Sequence, residues 1–128
     1  MTRREEGRAP GGRRLRHLVL IALLGLAACA KPAGPPADYA SLKPADPRLA
    51  ALYEGSCKAC HTNPAAGAPL VHDARAWAPR WHQGEQVLLD HVIQGYRAMP
   101  ATGQCAACTP EDFKALTRFI ADREGAPS

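Results

Sequence analysis

Large apolar side chains are scarce in this chain. Its 128 residues include two tryptophans and two phenylalanines, and aromatics make up 5% of the whole. A small domain with so little bulk is short of burial and needs a staple of another kind. Methionine is represented by Met1 and Met99 alone. No segment alternates apolar and polar residues as a half-buried strand does, which leaves helices as the regular structure. No apolar run reaches the roughly 20 residues that a spanning helix needs. Net charge is nearly absent too, once its position is considered. The formal +4 comes from sixteen basic and twelve acidic side chains. Six of the basic ones, Arg3, Arg4, Arg8, Arg13, Arg14 and Arg16, stand in residues 1–28 against Glu5 and Glu6, so ten of each sign remain beyond. A neutral remainder removes the electrostatic case for a nucleic-acid partner.

The front of the chain has the order of a removable leader. An arginine-rich start is followed by the short apolar run 18–28, and the run closes on Leu26-Ala27-Ala28-Cys29. Its length suits a signal peptide rather than an anchor. The closing four residues resemble a bacterial lipobox, in which cleavage precedes the cysteine and the thiol receives a diacylglycerol. Residues 1–28 are therefore expected to be a lipoprotein signal peptide, with Cys29 lipidated and the protein exported and anchored facing the periplasm. Cysteine parity agrees. Five is odd, and Cys29 stands alone while the others pair as Cys57-x-x-Cys60 and Cys105-x-x-Cys108. An ordinary signal peptide ending near a cysteine is the alternative.

Residues 29–45 hold Pro32, Pro35, Pro36 and Pro44 and few large apolar side chains. They read as a semi-rigid tether, extended over roughly 45 Å at about 3.1 Å per residue. A single domain follows over 46–128, with three helices legible. The first has Asp46 as N-cap, Pro47 at N1 and a stripe of Leu49, Leu52 and Tyr53, and runs into Cys57. The second follows Gly84, with Leu88, Leu89, Val92, Ile93 and Tyr96 at helical spacing, and stops before Pro100. The third is capped by Thr109 and Pro110, carries Glu111 and Asp112 in its first turn, buries Phe113, Leu116 and Ile120, and ends at Gly125.

Cys57-Lys58-Ala59-Cys60-His61 is the C-x-x-C-H pattern of c-type haem attachment. On a helical turn, positions i, i+3 and i+4 share one face. Two thiols so placed reach the two vinyl groups on one porphyrin edge, and the imidazole is carried beneath the iron. A covalently held, mostly apolar porphyrin also supplies the missing staple. The alternatives are a redox-active C-x-x-C and half of a zinc site. Zinc would need the second pair, but the long helical sequence between Cys60 and Cys105 suits no zinc ribbon. Cys105 and Cys108 read as a short disulfide of an oxidising compartment, contributing at most about 2 kcal/mol on the chain-entropy model. A redox-active dithiol is the alternative there.

With Met1 in the leader, Met99 is the one thioether left for the opposite side of the iron, in a segment stiffened by Pro100. Imidazole with thioether raises the potential of a haem. His72, His82 and His91 are the rivals, each expected to be a surface residue. An open sixth position would instead make a haem enzyme or a gas sensor, and Met99 argues against it.

From Tyr53 to about Arg123 the chain resembles cytochrome c₅, a subgroup of the class I c-type cytochromes. The matching elements are Cys57-x-x-Cys60-His61, Gly67-Ala68-Pro69, Trp77-Ala78-Pro79-Arg80, Gly84, Gly95, Met99-Pro100 and Cys105-x-x-Cys108. The resemblance implies an all-α class I cytochrome c fold with first and last helices packed together. It implies one covalent haem c, single-electron carriage between redox partner proteins in a bacterial respiratory or related chain, and no enzymatic activity or small-molecule substrate. It makes Cys57, Cys60 and His61 the haem-binding residues, Met99 the sixth ligand, and Cys105 and Cys108 a disulfide. The Pro69 carbonyl would take the second ring N–H of His61. Trp77 and Arg80 would hold a haem propionate, with packing and surface charge as the alternative. Ala101 departs from the family, which commonly has a second proline there.

Overall fold

The computed structural model describes residues 32–125; the expected leader and Cys29, with residues 30–31 and 126–128, lie outside the described residues. Five α-helices follow in order: α1 (Pro47–Gly55), α2 (Lys58–His61), α3 (Ala74–Trp81), α4 (Glu85–Gln94) and α5 (Pro110–Ile120). Short 3₁₀ turns lie at Tyr39–Ser41, Pro64–Ala66 and Ala101–Gln104. Among the described residues there is no β-strand, as the sequence pattern predicts, and one isolated bridge pairs Tyr96 with Met99.

The first helix begins where expected. Asp46 accepts from the Leu49 N–H at 2.8 Å and Pro47 occupies the first helical position, where no N–H is needed. It does not run on into Cys57. Ser56 breaks it at φ −141°, ψ −77°, and its hydroxyl donates to the Leu52 carbonyl, a bond that competes with the helical ladder. The chain then restarts as α2. The last helix carries a full capping box: the Thr109 hydroxyl accepts from Asp112 N–H at 3.2 Å, and the Asp112 carboxylate accepts from Thr109 N–H at 2.9 Å. It ends at Ile120 and not at Gly125. Asp122, at φ 55°, supplies the left-handed residue of a Schellman closure, with Arg123 N–H donating to Arg118 O at 2.7 Å and Asp122 N–H to Phe119 O at 3.0 Å. Aspartate tolerates that region better than most residues.

Helix α3 is absent from the sequence reading because Pro79 lies inside it. Asp73 nonetheless caps it, accepting from the N–H groups of Arg75 and Ala76. Eight residues are short enough that the one hydrogen bond forfeited at Pro79 is outweighed by burial of Trp77. Residues 33–45, expected as a semi-rigid extended tether, instead make contacts with the folded domain. The Ala33 carbonyl accepts from Arg75 N–H at 2.9 Å, Pro44 is buried, and Tyr39 and Leu42 pack against the core. Two medium-sized side chains on a 3₁₀ turn are enough to dock a segment whose prolines have already removed much of its unfolded-state freedom.

The core is formed by Tyr53, Val71, Trp77, Leu116, Phe119, Ile120 and Ala121. Helices α1 and α5 meet through the Tyr53 and Phe119 rings, edge to face with centroids 5.1 Å apart. Beside them Arg48 grips Asp112 through two nitrogens at 2.7 and 2.8 Å. That fork, with the Thr109 N–H, holds the Asp112 carboxyl far below its ordinary pKa of 3.8. Glu85 at the start of α4 binds Arg118 of α5 in the same two-pronged manner, and Lys114 stands 3.6 Å away.

A depressed carboxyl pKa stabilises the fold above the unfolded-state value and stops doing so as pH falls through the folded-state value. Asp112→Asn should therefore lower the melting temperature at pH 7, and its deficit against wild type should shrink in acid well below the ordinary pKa of 3.8. Thermal melts across that range check this. The Tyr53 hydroxyl is buried with no partner among the described residues, and burial pushes its pKa up to about 12. Removing an unsatisfied hydroxyl is neutral or stabilising, whereas emptying the site leaves a cavity. Tyr53→Phe should melt no lower than wild type, and Tyr53→Ala should lose about 3–5 kcal/mol in denaturant titrations.

Candidate haem site

Cys57, Cys60 and His61 lie on one helical turn, with His61 N–H donating to Cys57 O at 3.0 Å. Both thiols are free; Cys57 is half-buried and Cys60 exposed. Burial raises the Cys57 pKa, and the Ser56 hydroxyl 3.5 Å from its sulfur opposes that rise. His61 is 8% exposed, the one buried residue of the turn.

His61 is held, directly or through Trp77, from three adjacent positions. Its Nδ1 is 2.7 Å from the Pro69 carbonyl oxygen. A carbonyl only accepts, so Nδ1 carries the proton and Nε2 keeps its lone pair. The Leu70 carbonyl accepts from the Trp77 indole N–H at 2.8 Å, and Val71 N–H donates to the His61 carbonyl at 2.9 Å. The Trp77 ring, tied in this way, stacks on the imidazole at 5.9 Å and 29°. The turn at Pro64–Ala66 and a left-handed Gly67 at φ 69° bring the chain back to make these contacts. Burial lowers the His61 pKa most, the Pro69 carbonyl offsets part of that, and Arg80 lowers it further. The balance favours the neutral ring, the state in which it can ligate a metal.

Trp77 thus spends its only N–H on Leu70 and contributes a packing face, and Arg80 is half-buried with its guanidinium donating to the Ala76 carbonyl of its own helix. Among the rival histidines, His82 is exposed. His91 stacks on Tyr96 with centroids 3.9 Å apart. His72 is not the surface residue the sequence implies. Its backbone is left-handed at φ 57°, its ring lies edge-on to Phe119, and its Nε2 is buried with no partner among the described residues.

Met99 is half-buried in the segment between α4 and α5. Helix α4 stops at Gln94, and Tyr96 and Met99 exchange two backbone hydrogen bonds of 3.0 Å around a turn with Arg97 at φ 56°. Gly95, at φ 84°, lies so close beneath that a Cβ would stand 2.9 Å from Ala101 N and 3.0 Å from Met99 O. The sequence resemblance included Gly95 without its reason, which is this approach. Cys105 and Cys108 are joined as a disulfide with Cα atoms 5.5 Å apart. Between Met99 and that disulfide, Thr102, Gly103 and Gln104 are all left-handed, which the sequence signals at Gly103 alone. For the two that carry a Cβ this costs on the order of 1 kcal/mol or more each.

No group of three or more His, Cys, Asp or Glu side chains is gathered as a metal-ligand set among the described residues, so the two C-x-x-C pairs do not converge as a zinc site would require. The donor set fits a covalent haem instead: two free thiols and one neutral, oriented imidazole on a single turn.

Residues 44–120 match the family profile described as cytochrome C oxidase, cbb3-type, subunit III. Over 63 residues the chain is 44% identical to cytochrome c-555 of Chlorobaculum tepidum, covering 46% of this chain and 58% of that protein. It therefore spans less than two thirds of that relative's length. Over 60 residues it is 40% identical to cytochrome c5 of Ectopseudomonas mendocina, covering 45% and 69%. A solved structure described as an electron transfer complex of nitrite reductase with cytochrome c contains a similar chain. The TM-score is 0.54 and the identity 36%, over 61% of this chain and 95% of that one. The chain belongs to this family of c-type cytochromes, with the all-α class I fold and a covalently bound haem c.

Proposed function

We propose that this cytochrome is a one-electron carrier whose haem is bonded to Cys57 and Cys60 and ligated by His61 and Met99. The observation that carries the reading is the His61–Pro69 hydrogen bond, which leaves Nε2 as the free donor beside two free thiols. The haem supplies a one-electron change at its iron. The protein orients the imidazole, keeps it neutral and buries it, so that its ligating strength does not drift with solvent. No general acid, base or nucleophile is required, and the work consists of setting a potential and presenting a haem edge to redox partner proteins. That a similar chain has been captured with a nitrite reductase supports protein partners of this kind.

The lipid anchor is proposed with it. No helix among the described residues is long and apolar enough to cross a membrane. Cys29 at the end of the apolar run would hold the protein through two or three acyl chains, each buried methylene adding about 0.8 kcal/mol. Ala33, bonded to Arg75, follows Cys29 by four residues, which at about 3.1 Å per extended residue gives a reach of at most about 12 Å. The domain would then work close to the membrane surface on the exported side, at high effective concentration near membrane-bound partners.

Mass spectrometry of the exported protein should show one haem mass that acid and organic solvent do not extract. Met99→Ala should keep that mass, lose the weak sulfur-to-ferric-iron charge-transfer band and lower the potential; an unchanged band would move the sixth ligand elsewhere. Cys29→Ser should abolish acylation and leave both the haem and its band untouched. Wild-type protein recovered soluble, with an unmodified thiol at 29 or no residue 29, would remove the anchor and leave the carrier reading standing.

A further inference from the structure

Between Met99 and α5 the backbone adopts a costly shape. Thr102, Gly103 and Gln104 are consecutively left-handed at φ 57°, 55° and 64°. Residues with a Cβ visit that region singly, and a run persists only where its surroundings over-determine it. Both ends of this run are held. Upstream, the backbone of Met99, Pro100 and Ala101 is pressed on Gly95, within 2.9–3.2 Å of where a Cβ would be. Downstream, Cys105 is buried and bonded to Cys108, and the next residue, Thr109, opens the capping box of α5. Inside the run, Gly103 stands against the Met99 methyl, since a Cβ there would lie 4.0 Å from Met99 Cε. Gly103, which adopts this conformation without strain, thus borders the thioether, and the two strained residues, Thr102 and Gln104, flank it in the chain.

We infer that the left-handed run 102–104, clamped by the Cys105–Cys108 disulfide, positions the Met99 side chain, and that the redox state of this disulfide sets how firmly Met99 holds the iron. The inference rests on Met99 being the sixth ligand. With the bond intact, the run cannot relax without drawing Cys105 out of its buried place. Reduction by a protein dithiol breaks the S–S bond and adds two electrons and two protons, giving two thiols while the reductant becomes a disulfide. Cys108 is the less buried residue of the two, which makes its side the point of attack. Thr102 and Gln104 are then free to leave the left-handed region, and Gly103 withdraws from the methyl it bordered.

The test is an imidazole titration of the ferric holoprotein, followed by the sulfur-to-iron band, together with the midpoint potential. Two proteins lack the disulfide: the Cys105→Ser/Cys108→Ser variant, and wild type reduced with dithiothreitol, alkylated at the two thiols and reoxidised at the iron. The second starts from folded protein, so a folding failure of the first does not end the test. Phe119→Leu is the control, weakening the crossing of α1 and α5 away from the run. In both disulfide-free proteins imidazole should displace Met99 at a concentration tenfold or more below wild type, and the potential should fall. Phe119→Leu should melt lower with wild-type imidazole affinity. Equal affinity with and without the disulfide, or an equal shift in Phe119→Leu, would overturn the clamp. A band that survives in Met99→Ala would instead sink the ligand assignment and the clamp with it.

Discussion

The hydrogen bond from the His61 ring to the Pro69 carbonyl organises the site. A buried imidazole can ligate iron only if it is neutral and offers the right nitrogen, and a carbonyl partner enforces both conditions. The price of burying a histidine is met by loop residues 69–71, each of which contacts the His61–Trp77 pair. Pro69 takes the ring proton, Leu70 takes the Trp77 N–H, and Val71 binds the His61 carbonyl. Val71 is itself fully buried, so the loop cannot drift without opening the core. One bond of this kind contributes about 1 kcal/mol net, but an orphaned buried partner costs more, and three interlocked bonds make the arrangement cooperative.

The rest of the fold brings that loop to its place. The crossing of α1 and α5 is built from the Tyr53–Phe119 contact and the Arg48–Asp112 fork. Asp112 serves twice, as partner of Arg48 and as half of the capping box, so the start of α5 and its docking on α1 are one structure. At its other end α5 offers the Ile120 carbonyl to His72 N–H at 2.8 Å, directly after Val71. The two ends of the last helix thus reach the two parts of the site: the segment that carries the disulfide, and the loop that holds the imidazole.

The sequence carried the chemistry more legibly than the path of the chain. The haem motif, the caps at Asp46 and Thr109, and the all-α class depend on local patterns, and local patterns can be read. Helix α3 was hidden because Pro79 signals a break, although a short capped helix that buries Trp77 tolerates it. The break at Ser56 arises from one side-chain bond to Leu52. The docking of residues 33–45 depends on Tyr39 and Leu42 finding a distant core, which no window of sequence reveals. Left-handed His72, Arg97, Thr102, Gln104 and Asp122 escaped for a common reason. Glycine announces that conformation, and these side chains accept it only under tertiary constraint.

If His61 and Met99 face each other as proposed, the two sides of the site are held by different physics. On the histidine side the constraint is burial: Val71, Trp77 and the core behind them form one packed unit, and moving the ring means unpacking it. On the methionine side the constraints visible in the protein lie in the backbone. Met99 sits among backbone devices: a close approach at Gly95, a turn at Arg97, a left-handed run and a disulfide. A packed core resists change in every direction, whereas a chain of local constraints fails at its weakest member. On the clamp inferred above, adjustment of this cytochrome after it is made would act on the methionine side, where the Cys105–Cys108 bond is the one member of that chain of constraints that a reductant breaks.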